Sequence, residues 1–164
     1  MARNPFWTWS LRLYKQPGVA PACIALQDRA GIDVNLLLFC LWTGSRHIIL
    51  GAAKFASARK ASAECGPAIG ILREARRLLK PAAQASPRVE RIRRNVLRLE
   101  LEAEQLEQDR LYALVQTVTP GRGEGVMIAA DNLSRYLRAA GIRLARRDWQ
   151  QLTTVVRSAF PSSG

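Results

Sequence analysis

The sequence predicts an all-α protein, in which a compact helical domain carries a long helical hairpin and a small helical C-terminal tail. Three observations lead there. Apolar residues recur at spacings of three and four along most of the chain, and Pro, Gly and Asp stand where helices would start and stop. Hydrophobic residues make up 48% of the chain but aromatic ones only 7%, so the core must be built mainly from Leu, Ala, Ile and Val. At 164 residues the chain is long enough for one ordinary domain with its own core, without disulfide or metal staples.

Asn4-Pro5 reads as a cap and first helical residue, because Asn can accept an orphan backbone N–H and Pro gives up a donor that had no partner. The first helix then runs to about Lys15 and ends at Gln16-Pro17-Gly18. Pro21 opens a second helix that stops at Gly31, and Asp33 caps a third from Val34 to about Thr43, apolar almost all round and therefore central. The alanine-rich stretch from Ile49 to Lys80 reads as two helices broken near Cys65-Gly66-Pro67, the second running from Ala68 to Leu79. Ser86-Pro87 starts what is expected to be the longest helix, reaching about Val118, with a seam of Val89, Ile92, Val96, Leu99, Ala103 and Leu106. The short Pro81-to-Pro87 connection makes these last two an antiparallel hairpin. In the tail, Asp131 is expected to cap Asn132 to Ala140, and Asp148 to Phe160 forms a last amphipathic helix. The division expected is a main helical domain over 4–119, a glycine-rich linker over 120–129 and a helical tail over 130–164. Few contacts should cross such a linker, so a chain cut after Thr119 is expected to fold cooperatively.

The net charge of +12 attracts polyanions, acidic proteins or anionic surfaces without choosing among them. It is spread over residues 1–86 and 120–164, whereas 87–119 is neutral. Within that neutral stretch Arg88, Arg91, Arg93, Arg94 and Arg98 precede Glu100, Glu102, Glu104, Glu107 and Asp109, against the helix macrodipole. Arg59 and Lys60 facing the acidic half, or a second copy lying antiparallel, would offset that cost; a solvated charged face is the plainer reading. Arg88, Arg91, Arg94, Arg98, Glu104 and Glu107 are accordingly the candidate interaction surface. The densest apolar run, Leu36 to Trp42, is far short of the roughly 20 residues a spanning helix needs, so no transmembrane segment is expected. Cys23, Cys40 and Cys65 are odd in number and widely spaced, which fits free thiols in a reducing, cytoplasmic compartment, and Met1 to Ser10 suggest no secretory signal.

Phe6-Trp7, Ser10, Leu13-Tyr14, Pro17-Gly18-Val19, Cys23, Leu26-Gln27-Asp28, Gly31, Asp33-Val34-Asn35-Leu36-Leu37, Phe39 and Trp42 fall in an order that resembles the signature of an uncharacterised proteobacterial family of short helical proteins, a domain of unknown function. Leu72-Arg73, Arg76-Arg77, Leu79-Lys80 and Glu100 to Glu104 extend the resemblance, which covers about Asn4 to Leu114. It implies a bacterial cytoplasmic protein with no established activity, cofactor or partner.

Gln27, Asp28, Asp33 and Asn35 form the most pointed polar cluster, set directly before the apolar third helix. Either they are a network fixing how two helices meet, with Asp33 as a cap and Asp28 paired to Arg12 or Arg46, or Asp28 and Asp33 orient a ligand or act as an acid/base pair. His47 is the only histidine and no CxxC spacing occurs, so no metal or other cofactor is expected. Phe6, Trp7, Trp9, Tyr14, Phe39 and Trp42 read as core, with a ligand pocket as the alternative. The glycines of 121–125 lack the strand and lysine of a phosphate loop, and the tail lacks the apolar spacing of a helix-turn-helix. The function expected is a non-enzymatic helical interaction protein with a basic surface, contacting an unknown protein partner or a second copy. A nucleic-acid-associated protein, or a small-ligand binder or enzyme using Asp28 and Asp33, are the alternatives.

Overall fold

The computed structural model describes residues 4–161. Among them seven helices follow one another: α1 (Pro5–Tyr14), α2 (Val19–Ala30), α3 (Val34–Ser45), α4 (Ala52–Ala83), α5 (Pro87–Ala113), α6 (Gly125–Ala139) and α7 (Arg146–Ala159). The Asn4 side chain accepts the N–H groups of Phe6 at 2.9 Å and Trp7 at 3.3 Å, so α1 starts as the Asn-Pro pair dictates. Asp33 caps α3 by accepting the Leu36 N–H at 3.1 Å, and Ser86 caps α5 through Val89 at 3.4 Å. Gly31, at φ 67°, ends α2 in the left-handed conformation that a side chain would strain. Helix α2 already begins at Val19, which leaves Pro21 in a first turn whose N–H groups lack helical partners anyway.

The hairpin differs from the expectation in two ways. Helix α4 is one helix of 32 residues that runs straight through Cys65-Gly66-Pro67. Pro67 leaves the Ala63 carbonyl without its donor, but both residues are exposed, so water takes the donor's place and packing against α5 keeps the helix whole. Helix α5 stops at Ala113, with 27 residues, because Val115 and Val118 donate to carbonyls only three residues back and tighten the chain into turns. The longer arm of the hairpin is therefore α4.

Helix α3 is the centre of the fold, buried from Leu36 to Gly44. Helix α6 packs along it, α7 along α2, and α5 along α4. Ala129, Leu133, Tyr136, Leu137, Leu152 and Val155 belong to the same apolar core as Phe6, Leu26 and Phe39. Many contacts thus cross the segment expected to be a linker. Only 120–124 of it lacks helix, since Gly125 opens α6 and Asp131 lies inside that helix rather than capping it. Even the non-helical part is tied down: Gly121 N–H donates to the His47 carbonyl at 2.7 Å, and His47 Nδ1 hydrogen-bonds the Gly123 carbonyl at 3.0 Å. Fully buried Asn132 locks α6 further by accepting from Leu50 N–H and donating to Thr43 Oγ1 and the Ile48 carbonyl, at 3.0–3.1 Å. In α7, Asp148 reaches back to the Ala145 N–H at 3.2 Å and pairs with Arg29 of α2 at 3.0 Å.

The two helices α3 and α6 approach most closely at Gly44. A Cβ placed there would lie 2.4 Å from Ala129 Cβ and 2.6 Å from its backbone, so no side chain fits without parting the helices. Gly44→Val should cost about 3 kcal/mol, the upper end of ordinary overpacking, because the obstacle is backbone. Urea unfolding would check it, with Gly70→Val as a control at a site where an added Cβ meets nothing within 4 Å. Equal midpoints for the two variants would contradict so close a crossing. No helix among the described residues is long and apolar enough to cross a membrane.

Candidate ligand-binding cleft

Four helices bring polar groups to one buried point. The carboxyl group of Glu107 on α5 accepts from Asn35 Nδ2 on α3 at 3.0 Å, and Gln108 Nε2 donates to Asn35 Oδ1 at 2.8 Å. Ser62 on α4 donates to the second oxygen of Asp33, the α3 cap, and the Asp33 N–H donates to the Tyr136 hydroxyl of α6 at 2.7 Å. Glu107 and Gln108 are almost wholly buried, at 1% and 2% exposure. Burial disfavours a charge on Glu107 and the neighbouring Asp33 carboxylate repels one; together they push it up to about 8, against a smaller opposing effect of the Asn35 hydrogen bond.

This network forms part of the wall of a cleft of about 680 Å³ between α1–α3 and the hairpin. Trp7, Leu11, Ile24, Leu38 and Ile69 supply its apolar wall, and Tyr14 stands beside them, its hydroxyl pushed up to about 12 chiefly by burial. Among the described residues three buried side-chain atoms have no hydrogen-bond partner, namely Ser10 Oγ, Glu107 Oε1 and Gln108 Oε1, and all three residues line this cleft. Unpaired buried polar atoms each cost roughly 1–3 kcal/mol, so their convergence is not neutral packing.

Arginines of α4 answer the acids of α5 along the rim. Arg76 holds buried Glu100 at 2.6 Å, and Arg73 bridges Glu100 at 3.2 Å and Glu104 at 3.0 Å. Burial outweighs those arginines at Glu104 and raises its carboxyl above the ordinary range. Lys80 also lines the cleft and has no ion-pair partner among the described residues.

The polar cluster read from the sequence is thus divided. Gln27, Asp33 and Asn35 line the cleft, whereas Asp28 is exposed and pairs with Arg77 at 2.9 Å, not with Arg12 or Arg46. The six residues of the candidate interaction surface do not share a surface. Arg88, Arg91, Arg94 and Arg98 face solvent, Glu104 turns into the cleft and Glu107 is buried below it. The cations that meet the acidic half are Arg73 and Arg76 rather than Arg59 and Lys60. Phe6, Phe39 and Trp42 stack in the core with ring centroids 5.2–6.5 Å apart, and Trp7 and Tyr14 open onto the cleft. All three cysteines are free and buried, and burial pushes Cys23 up to about 12, which removes it as a nucleophile.

Ser62 and Tyr136 escaped the sequence reading because each stands alone in its own segment, and Gln108 because it sits between two acids read for their charge. Glu100, Glu104, Glu107 and Leu111 did carry a signal, since they recur at the spacing of a buried helical face.

Helices, a hairpin laid over a three-helix centre and a polar network beneath it define an all-α protein with a cleft under its hairpin. The chain belongs to the DUF2390 family of proteins of unknown function, which matches residues 5–111. That span holds Ser10, Asp33, Asn35, Ser62, Glu107 and Gln108, so all but Tyr136 of the central polar network lies within the family's part of the chain. No curated protein and no solved structure matches the chain.

Proposed function

We propose that the protein binds a small amphipathic molecule in the cleft, through an apolar body held by Trp7, Leu11, Ile24 and Ile69 and hydrogen-bond donors directed at the buried floor. The observation that supports this reading is that the three residues carrying an unpartnered buried atom, Ser10, Glu107 and Gln108, all line one cavity. Gln108 Oε1 can only accept, Ser10 Oγ can do either, and the Glu107 carboxyl, kept neutral near pH 7 by burial and by Asp33, becomes a pure acceptor once a bound amine takes its proton, so an amine or amide satisfies the floor better than a carboxylate does. A positively charged ligand would also relieve the repulsion that Glu107 meets from Asp33. Binding, rather than catalysis, is the role proposed. Buried free thiols fit a reducing compartment and support a cytoplasmic setting.

Hexylamine, hexanamide and hexanoate, titrated by ligand-observed NMR and thermal shift, test it. The amine and amide should bind saturably and hexanoate more weakly, and Gly66→Trp should abolish binding. Gly66 lines the cleft and an added Cβ meets nothing within 4 Å, so an indole there can occupy the part of the cleft beside Ile69 without displacing anything near its base. If no probe saturates, or if binding survives Gly66→Trp, the cleft is not the site.

The interaction-protein reading draws on a different face of the hairpin, whose apolar residues lie open to solvent. The nucleic-acid reading draws on net charge alone, and many arginines of the structure face carboxylates.

A further inference from the structure

The back of the hairpin, the side turned away from the cleft, carries two apolar stripes. Ile71 and Leu78 on α4 are each 72% exposed, and Ile92, Leu99 and Leu106 on α5 are between 44% and 50% exposed. Both stripes repeat every seven residues, the interval that keeps side chains in line along a helix packed against another helix. On each helix the stripe stands roughly half a turn from the residues that line the cleft, at about 100° per residue.

We propose that this back face docks a second copy of the chain, the two hairpins stacking as a four-helix bundle about a two-fold axis that passes between Leu99 and Glu100. Charge selects this occupant and sets its register. With α5 antiparallel to its copy, Leu99 meets Leu99 of the second copy and Ile92 meets its Leu106. On the flank of the stripe, Arg98 then faces Glu102 of the second copy and Arg91 faces its Asp109, so the basic half of one helix lies on the acidic half of the other. Arg91 has no ion-pair partner among the described residues, Arg98 and Glu102 pair within the chain only through an exposed contact one turn apart, and Asp109 accepts from Asn4 Nδ2 at 2.7 Å through one oxygen, its other facing no cation of its own chain among the described residues.

A second line of geometry gives the same axis. The ion pairs Arg73–Glu100, Arg73–Glu104, Arg76–Glu100 and Glu64–Arg110 set how α4 lies beside α5, and by that register Ile71 is level with Glu104 and Leu78 with Leu97. The axis chosen from α5 charges therefore crosses α4 within about one residue of the midpoint between Ile71 and Leu78, and brings each close to the other residue of the second copy. Both stripes are covered at once, and the cleft, on the opposite face, stays open.

Sedimentation equilibrium of the full chain at low salt tests the proposal, with circular dichroism to show that each variant is folded. The wild type should have the mass of two chains and Leu99→Arg that of one, because two arginines would meet on the axis. Arg98→Glu should weaken the dimer roughly tenfold, and adding Glu102→Arg should restore it, since the reversed charges again pair across the axis. A monomer at every concentration, or a dimer indifferent to Leu99→Arg or not restored by the double variant, overturns the proposal. A monomer that instead adsorbs to anionic vesicles or to duplex DNA makes the face a polyanion surface and overturns it equally.

Discussion

Removal of residues 120–164 is expected to leave a chain that no longer melts cooperatively. The deletion takes Leu133, Tyr136, Leu137, Leu152 and Val155 out of the core and uncovers the flank of α3 on which α6 lies. At about 1.5–3 kcal/mol per large buried side chain, the loss rivals the whole net stability of an ordinary domain, about 5–15 kcal/mol. It also strips Leu50 N–H and the Ile48 carbonyl of the Asn132 side chain that satisfies them. Far-UV circular dichroism should keep helical signal while the thermal transition broadens and a hydrophobic dye binds. A sharp transition in the truncated chain would mean that α1–α5 fold without α6 and α7.

Glu107→Gln is expected to stabilise the protein, and more so as pH rises. The folded-state carboxyl sits near 8, above its ordinary value of 4.5. Between those values the folded chain binds the extra proton, so the wild type loses stability as pH climbs from about 4.5 to about 8 and no further above it. Below that window both carboxyls are neutral and the penalty vanishes. Gln keeps a neutral polar head at every pH, so its advantage should be small at pH 5 and reach a few kcal/mol by pH 8.5. Urea denaturation of both proteins across that range measures the difference with the other titrating groups cancelled. A pH-independent difference would show that ionisation of Glu107 costs the fold nothing.

Much of this architecture was legible in the residues. Asn4-Pro5, Asp33 and Ser86-Pro87 mark helix starts because the capping chemistry is local, and the apolar run of α3 announces a central helix. Pro67 misled because the cost of a proline in a helix depends on where the orphaned carbonyl points, and that is settled by packing. The glycines at 121–125 misled for a similar reason: Gly125 is needed for close approach to the Gly44 carbonyl, 2.9 Å from where its Cβ would be, and not for freedom. On α5, the apolar seam read from spacing included Ile92, Leu99 and Leu106, yet these face solvent while Glu100 and Glu107 are buried. Arginines on α4 and an amide network on α3 make burying those acids tolerable, and neither is visible from α5 itself. One side of the cleft was foreshadowed by Gln27, Asp33 and Asn35, and the rest depends on residues that only tertiary contact brings together.

No residue from 70 to 99 is fully buried, so the outer half of the hairpin is held by ion pairs and half-covered side chains. That same stretch forms the roof of the cleft, with Arg73, Arg76, Lys80, Arg93 and Leu97. Local opening of this stretch is therefore expected at a free energy well below that of global unfolding. Such an opening, with α3 still packed, would speed the entry and the exit of a molecule together. A second copy clasped on the back would stiffen the roof and slow both rates alike, leaving affinity nearly untouched while lengthening the time a bound molecule is kept.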